Sequence, residues 1–420
     1  MSSGEFRGAS EKLQKLEQIS TDFVLGRLSR RELLRAGMKL GIGTTALAVT
    51  VGRMGLLNGA YADEDIAAKL MEELKLPFDS THDAPDPATR EMVPAGKYKK
   101  AGPWKIGFSN NFSNNSWRTN MLWCLKYYAS QHKDKISAFY YTDANQNIAQ
   151  QISDIQSMAD RGVDALLLEP GVGASLNAMV TQLESQGLPV IPFDGVLEGV
   201  PYASWVGMNL KYIGVASAAY LINKLQNKGN ILVVRGMAGN NIDTLWWEEA
   251  EKLFNASGLK VVGQVYSNWD FAMAKENVTK FLASYPGEIH GVWNENGGAA
   301  MGLMEAFEEA GRTVPPTMGD QNNGFLKKWS EMAQKSGYEA HGYIYPTWLS
   351  ANGLETAFKL LNGDSVYKDD YQPQLVITND NLAQHVKPDL PDSYFSADYL
   401  PAEWAKKMYS EQISFDDLNQ

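Results

Sequence analysis

The sequence predicts an α/β protein of two similar lobes, each a doubly wound parallel sheet, and three observations carry that expectation. Short β-rich runs alternate with longer helix-patterned stretches, the order that βα units leave in a chain. The alternation runs to about residue 206 and then starts again. A chain of 420 residues with 44% apolar side chains also exceeds one ordinary core, since domains run to roughly 100 to 200 residues. The single cysteine, Cys124, permits no intramolecular disulfide, so packed cores must supply the stability.

Residues 1–62 read as a twin-arginine export signal. Arg30-Arg31 is followed by Leu33-Leu34, a mild Gly/Thr/Ala/Val run from Leu40 to Gly52, and the small-residue site Ala60-Tyr61-Ala62. The expected partner is the twin-arginine export machinery, with a mature chain starting at Asp63 in the periplasm. The apolar run is shorter than the roughly 20 residues that cross a bilayer, and no cysteine stands at the cleavage site to carry a lipid. Without this segment the chain holds 29 basic and 44 acidic side chains. That balance argues against nucleic acid and anionic membranes and leaves a small neutral or cationic ligand open.

Residues 63–102 are charged, contain Pro77, Pro85, Pro87 and Pro94, and predict an extended leader with one short helix over Asp65–Leu74. Strands follow at Trp104–Phe108, Ile136–Tyr141, Ala165–Leu168 and Val190–Phe193, separated by helices around Met121–Ser130, Ala149–Asp160 and Leu176–Gln186. After Val206-Gly207-Met208 come a helix over Ile213–Leu225 and strands at Ile231–Val234, Val261–Tyr266, Val292–Trp293 and Thr317–Gly319. A strand at Ala340–Ile344 leads into a helix over Leu349–Leu361, and residues 388–420, rich in Asp, Tyr and Pro, read as an appendage.

Open α/β sheets bind ligands where strands enter helices, and those loops share a composition. They read Ser109-Asn110-Asn111-Phe112 through Asn115-Ser116-Trp117-Arg118, Phe193-Asp194-Gly195, Gly239-Asn240-Asn241-Ile242-Asp243, Ser267-Asn268-Trp269-Asp270, Asn294-Glu295-Asn296-Gly297 and Asp320-Gln321-Asn322-Asn323. Amides and carboxylates suit hydroxyls that both donate and accept, and aromatic rings suit the C–H faces of a sugar. Trp117, Trp269 and Trp348 are the candidate faces. Asn and Asp are also turn formers and helix N-caps, a reading that competes at each single position and weakens when every loop on one edge carries the same chemistry. Trp123, Trp246 and Trp329 fall in helical pattern and Trp293 on an apolar strand, which assigns them to packing; Trp247 fits either role.

Enzyme signatures are lacking: there is no His-Glu-x-x-His, no Gly-x-Ser-x-Gly and no Gly-x-x-x-x-Gly-Lys. The five histidines are scattered without metal-ligand spacing. Gly171-Val172-Gly173 follows the third strand rather than the first and lacks the last glycine of a dinucleotide fingerprint. No catalytic residue, cofactor or metal is expected. Twin-arginine export often carries cofactor-loaded enzymes, and this keeps an exported carbohydrate enzyme as the alternative.

Four segments in order, Ile106-Gly107-Phe108 to Asn115-Ser116-Trp117, Leu188-Pro189-Val190-Ile191-Pro192-Phe193-Asp194, Arg235-Gly236-Met237-Ala238-Gly239 and Val292-Trp293-Asn294-Glu295-Asn296-Gly297, resemble the type I periplasmic sugar-binding proteins of ABC importers, the ribose-binding-protein-like group. The resemblance runs from about Trp104 to Asn381. It implies that Asn115 and Trp117 contact a sugar or polyol from the first lobe, with Asp194 accepting from hydroxyls. From the second lobe, Asn241 or Asp243, Trp269, Asn296 and Asp320 would close over it. The chain departs from the family where Gly195 follows Asp194 and where Asp243-Thr244 stands in place of an arginine; Arg118 either replaces one missing charge or is a solvated helix residue. The resemblance further implies three hinge crossings, near Gly207–Leu210, Tyr345–Trp348 and Gln372–Val376. The lobes would then be 103–208 with 347–373 and 209–346 with 374–387. A monomer that closes on its ligand and is read by the membrane permease subunits of an ABC importer is the implied function; a receptor-linked sugar sensor is the variant of it.

Overall fold

The apolar runs and the asparagines that follow them set the layout of this chain, seen here in a computed structural model that describes residues 90–419 apart from 114, 172, 397 and 398, together with Ala67. The expected export signal, 1–62, lies outside the described residues, as does most of the leader. Ala67, inside the predicted 65–74 helix, is helical and buried, and its N–H donates to Asn223 Oδ1 at 3.0 Å.

In chain order the first half holds β1 (Met92–Val93), β2 (Trp104–Asn110), α1 (Ser116–Ser130), β3 (Ile136–Asp143), α2 (Ile148–Asp160), β4 (Ala165–Leu168), α3 (Asn177–Ser185), β5 (Val190–Pro192) and β6 (Trp205–Gly207). The second half holds α4 (Leu210–Lys224), β7 (Gly229–Arg235), α5 (Asn241–Ala256), β8 (Leu259–Tyr266), α6 (Phe271–Ser284), β9 (Gly291–Asn294), α7 (Gly297–Glu309), β10 (Met318–Asp320), α8 (Asn323–Ser336) and β11 (His341–Ile344). Then follow α9 (Leu349–Asn362), β12 (Val366–Tyr367), β13 (Asp369–Tyr371), β14 (Leu375–Ile377), α10 (Leu382–His385) and α11 (Ala402–Ser410).

The first sheet is parallel in the order β3-β2-β4-β5. Its central strand β4, Ala-Leu-Leu-Leu, is buried along its whole length, as a strand covered by helices on both faces requires. In the second lobe β8-β7-β9 is parallel, β10 pairs in parallel with β11, and Val292 N–H donates to Pro316 O at 2.9 Å between the two groups. β14 closes the edge antiparallel to β11. These are two α/β lobes with parallel sheets, as the alternation predicts.

Helix α9 returns to the first lobe: Leu349, Leu354 and Phe358 share a core with Ile106 and Phe108 of β2 and Leu125 of α1. Two features differ from expectation. Short strands β6 and β13 pair with each other, and three-residue runs are too brief to show a period. Residues 388–396 and 399–419 touch both lobes: Asn323 N–H of α8 donates to Tyr394 O in the second, and their aromatic side chains find partners on α1 and β3 of the first, far away in sequence.

Candidate functional site: an interlobe cleft

The carboxyl ends of the two sheets face each other across a cleft of about 820 Å³. Strand endings place its side chains, with Asp194 two residues past the end of β5 and Asp320 as the last residue of β10. The loop asparagines do two things at once. Asn115 Oδ1 accepts from Arg118 N–H at 2.9 Å to cap α1, Asn296 Oδ1 accepts from Ala299 N–H at 2.9 Å to cap α7, and Asn322 Oδ1 accepts from Phe325 N–H at 3.2 Å to cap α8. All three also line the cleft. A cap sits at the strand-to-helix loop, which here is the rim of the cleft, so one side chain both caps a helix and lines the cleft.

The first-lobe wall is a charge network. Arg118, 5% exposed, donates through Nη2 to Glu169 Oε1 at 2.7 Å, places Nη1 2.5 Å from Glu169 Oε2, and donates to Asn110 Oδ1 at 3.3 Å. Its guanidinium lies 3.8 Å from the centre of the Phe112 ring. Burial alone would lower the Arg118 pKa, but the Glu169 carboxylate outweighs it and keeps the side chain charged. Asp194 sits at a left-handed φ of +61°, a conformation that few non-glycine residues adopt and that is found at functional turns. Its Oδ1 accepts from the Tyr345 hydroxyl at 2.5 Å. Burial, assisted by nearby Glu169, pushes the Asp194 carboxyl up to about 7 against the pull of Arg118. Tyr345, just past β11, also accepts at its carbonyl from Trp117 Nε1 at 3.3 Å, and the two rings meet edge-on with centres 5.7 Å apart.

The second-lobe wall is built on Trp269 and Asp320. Trp269 has φ +55° and donates through Nε1 to Glu295 Oε2 at 2.7 Å, while its carbonyl accepts from Asn296 Nδ2 at 3.1 Å. Gly236 lies under the indole: a Cβ there would stand 2.2 Å from Trp269 Cε2. Burial, with Asp243 close by, raises the Glu295 pKa well above the ordinary carboxylate value. Asp320 Oδ1 accepts backbone N–H groups from Gly297 at 2.9 Å and Asn322 at 3.1 Å. Burial still pushes its carboxyl up to about 7.

Of the residues singled out from sequence, Asn115, Trp117, Arg118, Asp194, Trp269, Asn296 and Asp320 line the cleft, and three do not. Asn241 is exposed on the first turn of α5, outside the cleft. Asp243 faces inward and accepts from Arg235 Nε at 3.0 Å and from Gly236 N–H at 2.9 Å, with Arg235 Nη2 at 2.5 Å, so it is bound up in a buried ion pair. Trp348 precedes α9 and stacks on Tyr399 with planes 6° apart in the core. Arg118 is paired and buried, not a solvated helix residue. Trp246, assigned to packing, also touches the cleft, while Trp293 is core and donates to Ser217 Oγ at 2.9 Å. Sequence reasoning missed Phe112, Tyr345 and the C-terminal Asp392, Ser393, Phe395 and Tyr409. Phe112 stood in the polar loop and Tyr345 in the expected crossing; for the last four no local signal existed.

Among the described residues no cluster of His, Cys, Asp and Glu is arranged to hold a metal, and no helix is long and apolar enough to cross a membrane. The chain is 25% identical over 243 residues to the xylitol-binding protein of Mycolicibacterium smegmatis, covering 58% of this chain and 69% of that one. It is 23% identical over 211 residues to the ribose import binding protein RbsB of Bacillus subtilis, covering 50% and 67%. An ABC transporter solute-binding protein from Mycobacterium smegmatis, solved with bound glycerol, superimposes with a TM-score of 0.61 at 22% identity, covering 69% of this chain and 98% of that one. The model of the periplasmic binding protein domain matches residues 106–365, more than half of the chain, and the protein belongs to that family.

Proposed function

We propose that this protein captures a monosaccharide or related polyol outside the cytoplasm and delivers it to an ABC importer. The observation that carries this reading is convergence: Asp194 and Trp117 from one lobe and Asp320, Asn296 and Trp269 from the other line one cleft. Carboxylate and amide oxygens suit hydroxyl donors and indole faces suit a C–H surface. The relative named for xylitol and the neighbour holding glycerol point the same way. Binding is non-catalytic and works by hinge closure. A ligand touching both walls stabilises the closed state by its differential contacts there, and the permease subunits read that shape.

The proposed lobes are 103–208 with 347–373 and 209–346 with 374–387, supported by the return of α9 to the first core and of β14 to the second sheet. The proposed export route is the twin-arginine machinery with cleavage after Ala62, and the working unit is a monomer. The test is a thermal-shift screen of Asp63–Gln420, stripped of co-purified ligand, against pentoses, hexoses, cyclitols and sugar alcohols. A ligand that binds only the folded state raises the melting temperature; a flat response across the panel overturns the reading. For export, Arg30→Lys with Arg31→Lys blocks secretion, and normal secretion of that variant overturns the route.

A further inference from the structure

The chain beyond α10 leaves the second lobe, crosses the margin of the cleft and ends on the first lobe. Its near part is laced to the start of α8. Asn323 N–H donates to Tyr394 O at 2.8 Å, Gly324 N–H to Asp392 O at 3.0 Å and Ser396 N–H to Gln321 O at 2.9 Å. Next to these bonds it reaches α1, where Phe395 N–H donates to Asn120 Oδ1 at 3.3 Å. Helix α11 then lies along α1, with the Trp404 ring 5.2 Å from Tyr127 and 6.1 Å from Trp123. The end is anchored on β3: Phe415 stacks on Phe139 at 5.0 Å, Phe139 N–H donates to Asn419 Oδ1 at 2.7 Å, and Lys133 Nζ donates to Asp417 O at 2.6 Å.

Terminal segments are loose unless tied down, and this one is tied at both ends to opposite lobes. Between its anchors it brings Asp392, Ser393, Phe395 and Tyr409 to the cleft. Tyr409 is 40% exposed there, a large ring held at the margin of a cavity with open apolar surface. The segment lies beyond the 106–365 stretch that the family model matches.

We propose that the C-terminal residues 388–396 and 399–419 form a third wall of the ligand site, meeting the bound polyol through Phe395 and Tyr409 and held over it by the anchor on β3. This rests on the polyol-binding reading above. The two rings offer faces to the C–H surface of the ligand, and Ser393 and Asp392 offer oxygens to its hydroxyls. The anchor on β3 holds these side chains at the cleft, so it slows the dissociation of a molecule that touches them.

The test titrates the mature chain with xylitol, D-ribose and myo-inositol by calorimetry and follows release by stopped flow. Tyr409→Ala, at a partly exposed position, weakens binding of the accepted probe roughly five- to tenfold, and Phe395→Ala weakens it further. A chain ending at Glu411 keeps all four cleft residues but loses the anchor; it releases the probe several-fold faster. If the segment merely stabilises the fold, these variants lower the ligand-free melting temperature and leave affinity and release rate unchanged, and that result overturns the proposal alone. Failure of the intact chain to bind any probe overturns the polyol reading and this proposal together.

Discussion

Each lobe buries an arginine–carboxylate pair at the carboxyl end of its sheet, Arg118–Glu169 in the first and Arg235–Asp243 in the second, and of the two arginines Arg118 lines the cleft while Arg235 does not. Arg118 comes from a helix beyond its loop and reaches back over the sheet edge to the end of β4, so its guanidinium stays at the cleft surface above Phe112. Arg235 is the last residue of β7, and α5 folds Asp243 down onto it while Trp247 and Tyr266 cover it at 5.1 and 5.6 Å. An arginine–carboxylate pair thus serves one wall as cleft surface and the other as internal scaffold. What decides is which element supplies the arginine.

The sharpest way to break that comparison is to remove the arginines. Arg118→Ala and Arg235→Ala each strand a buried carboxylate and each lowers stability by about 3–5 kcal/mol in urea unfolding. In the fraction that remains folded, Arg118→Ala loses ligand and Arg235→Ala keeps it; equal loss in both abolishes the distinction. Next in size, Asp194→Ala loses affinity by about 100-fold or more while the fold survives, because a ligand hydroxyl is left without its charged acceptor. Calorimetry showing full affinity removes Asp194 from the site.

The carboxyls of Asp194 and Asp320 are both pushed up to about 7, against an ordinary value near 3.8. Between these values the folded chain holds protons that the unfolded chain has released. Their contribution to stability is therefore full below pH 4 and lost as pH rises through 7. Buried His341, held down to about 4, works in the opposite sense, giving stability above its ordinary pKa that is lost as pH falls. The decisive quantity is thus a difference: the fall in ligand-free melting temperature from pH 5 to pH 8 is smaller in Asp194→Asn and in Asp320→Asn than in the parent. An unchanged slope shows that neither carboxyl is protonated in the fold.

Smaller effects compare the two indoles. Trp117→Ala and Trp269→Ala each weaken binding by about 0.5–1.5 kcal/mol. Only the second wall has a glycine beneath its ring, so Gly236→Ala reproduces the loss of Trp269 in affinity by displacing the indole; normal binding by that variant means the ring position is immaterial. Least of all, Asn241→Ala leaves the dissociation constant unchanged, since this side chain stands outside the cleft in solvent.

Much of this molecule was legible before its structure. Strands and helices followed from periodicity, and the binding edge from the composition of the loops, because Asn115, Asn296 and Asn322 must cap helices wherever strands of this fold turn. The misjudged residues share a cause. Asp243 and Trp348 carry suitable chemistry at suitable places in the sequence, and each is turned away by one partner, Arg235 and Tyr399. Tyr345 was placed at a crossing by the family resemblance, with nothing to say that its hydroxyl reaches Asp194.

Local pattern, then, determined two α/β lobes and a polar, aromatic edge on each, since turn chemistry and hydrophobic period act between residues a few positions apart. Tertiary structure decided which of those side chains face the cleft. Arg118 meets Glu169 across 51 residues and Asn120 meets Phe395 across 275. Contacts of that span depend on how whole elements pack, a property that no short window of sequence contains.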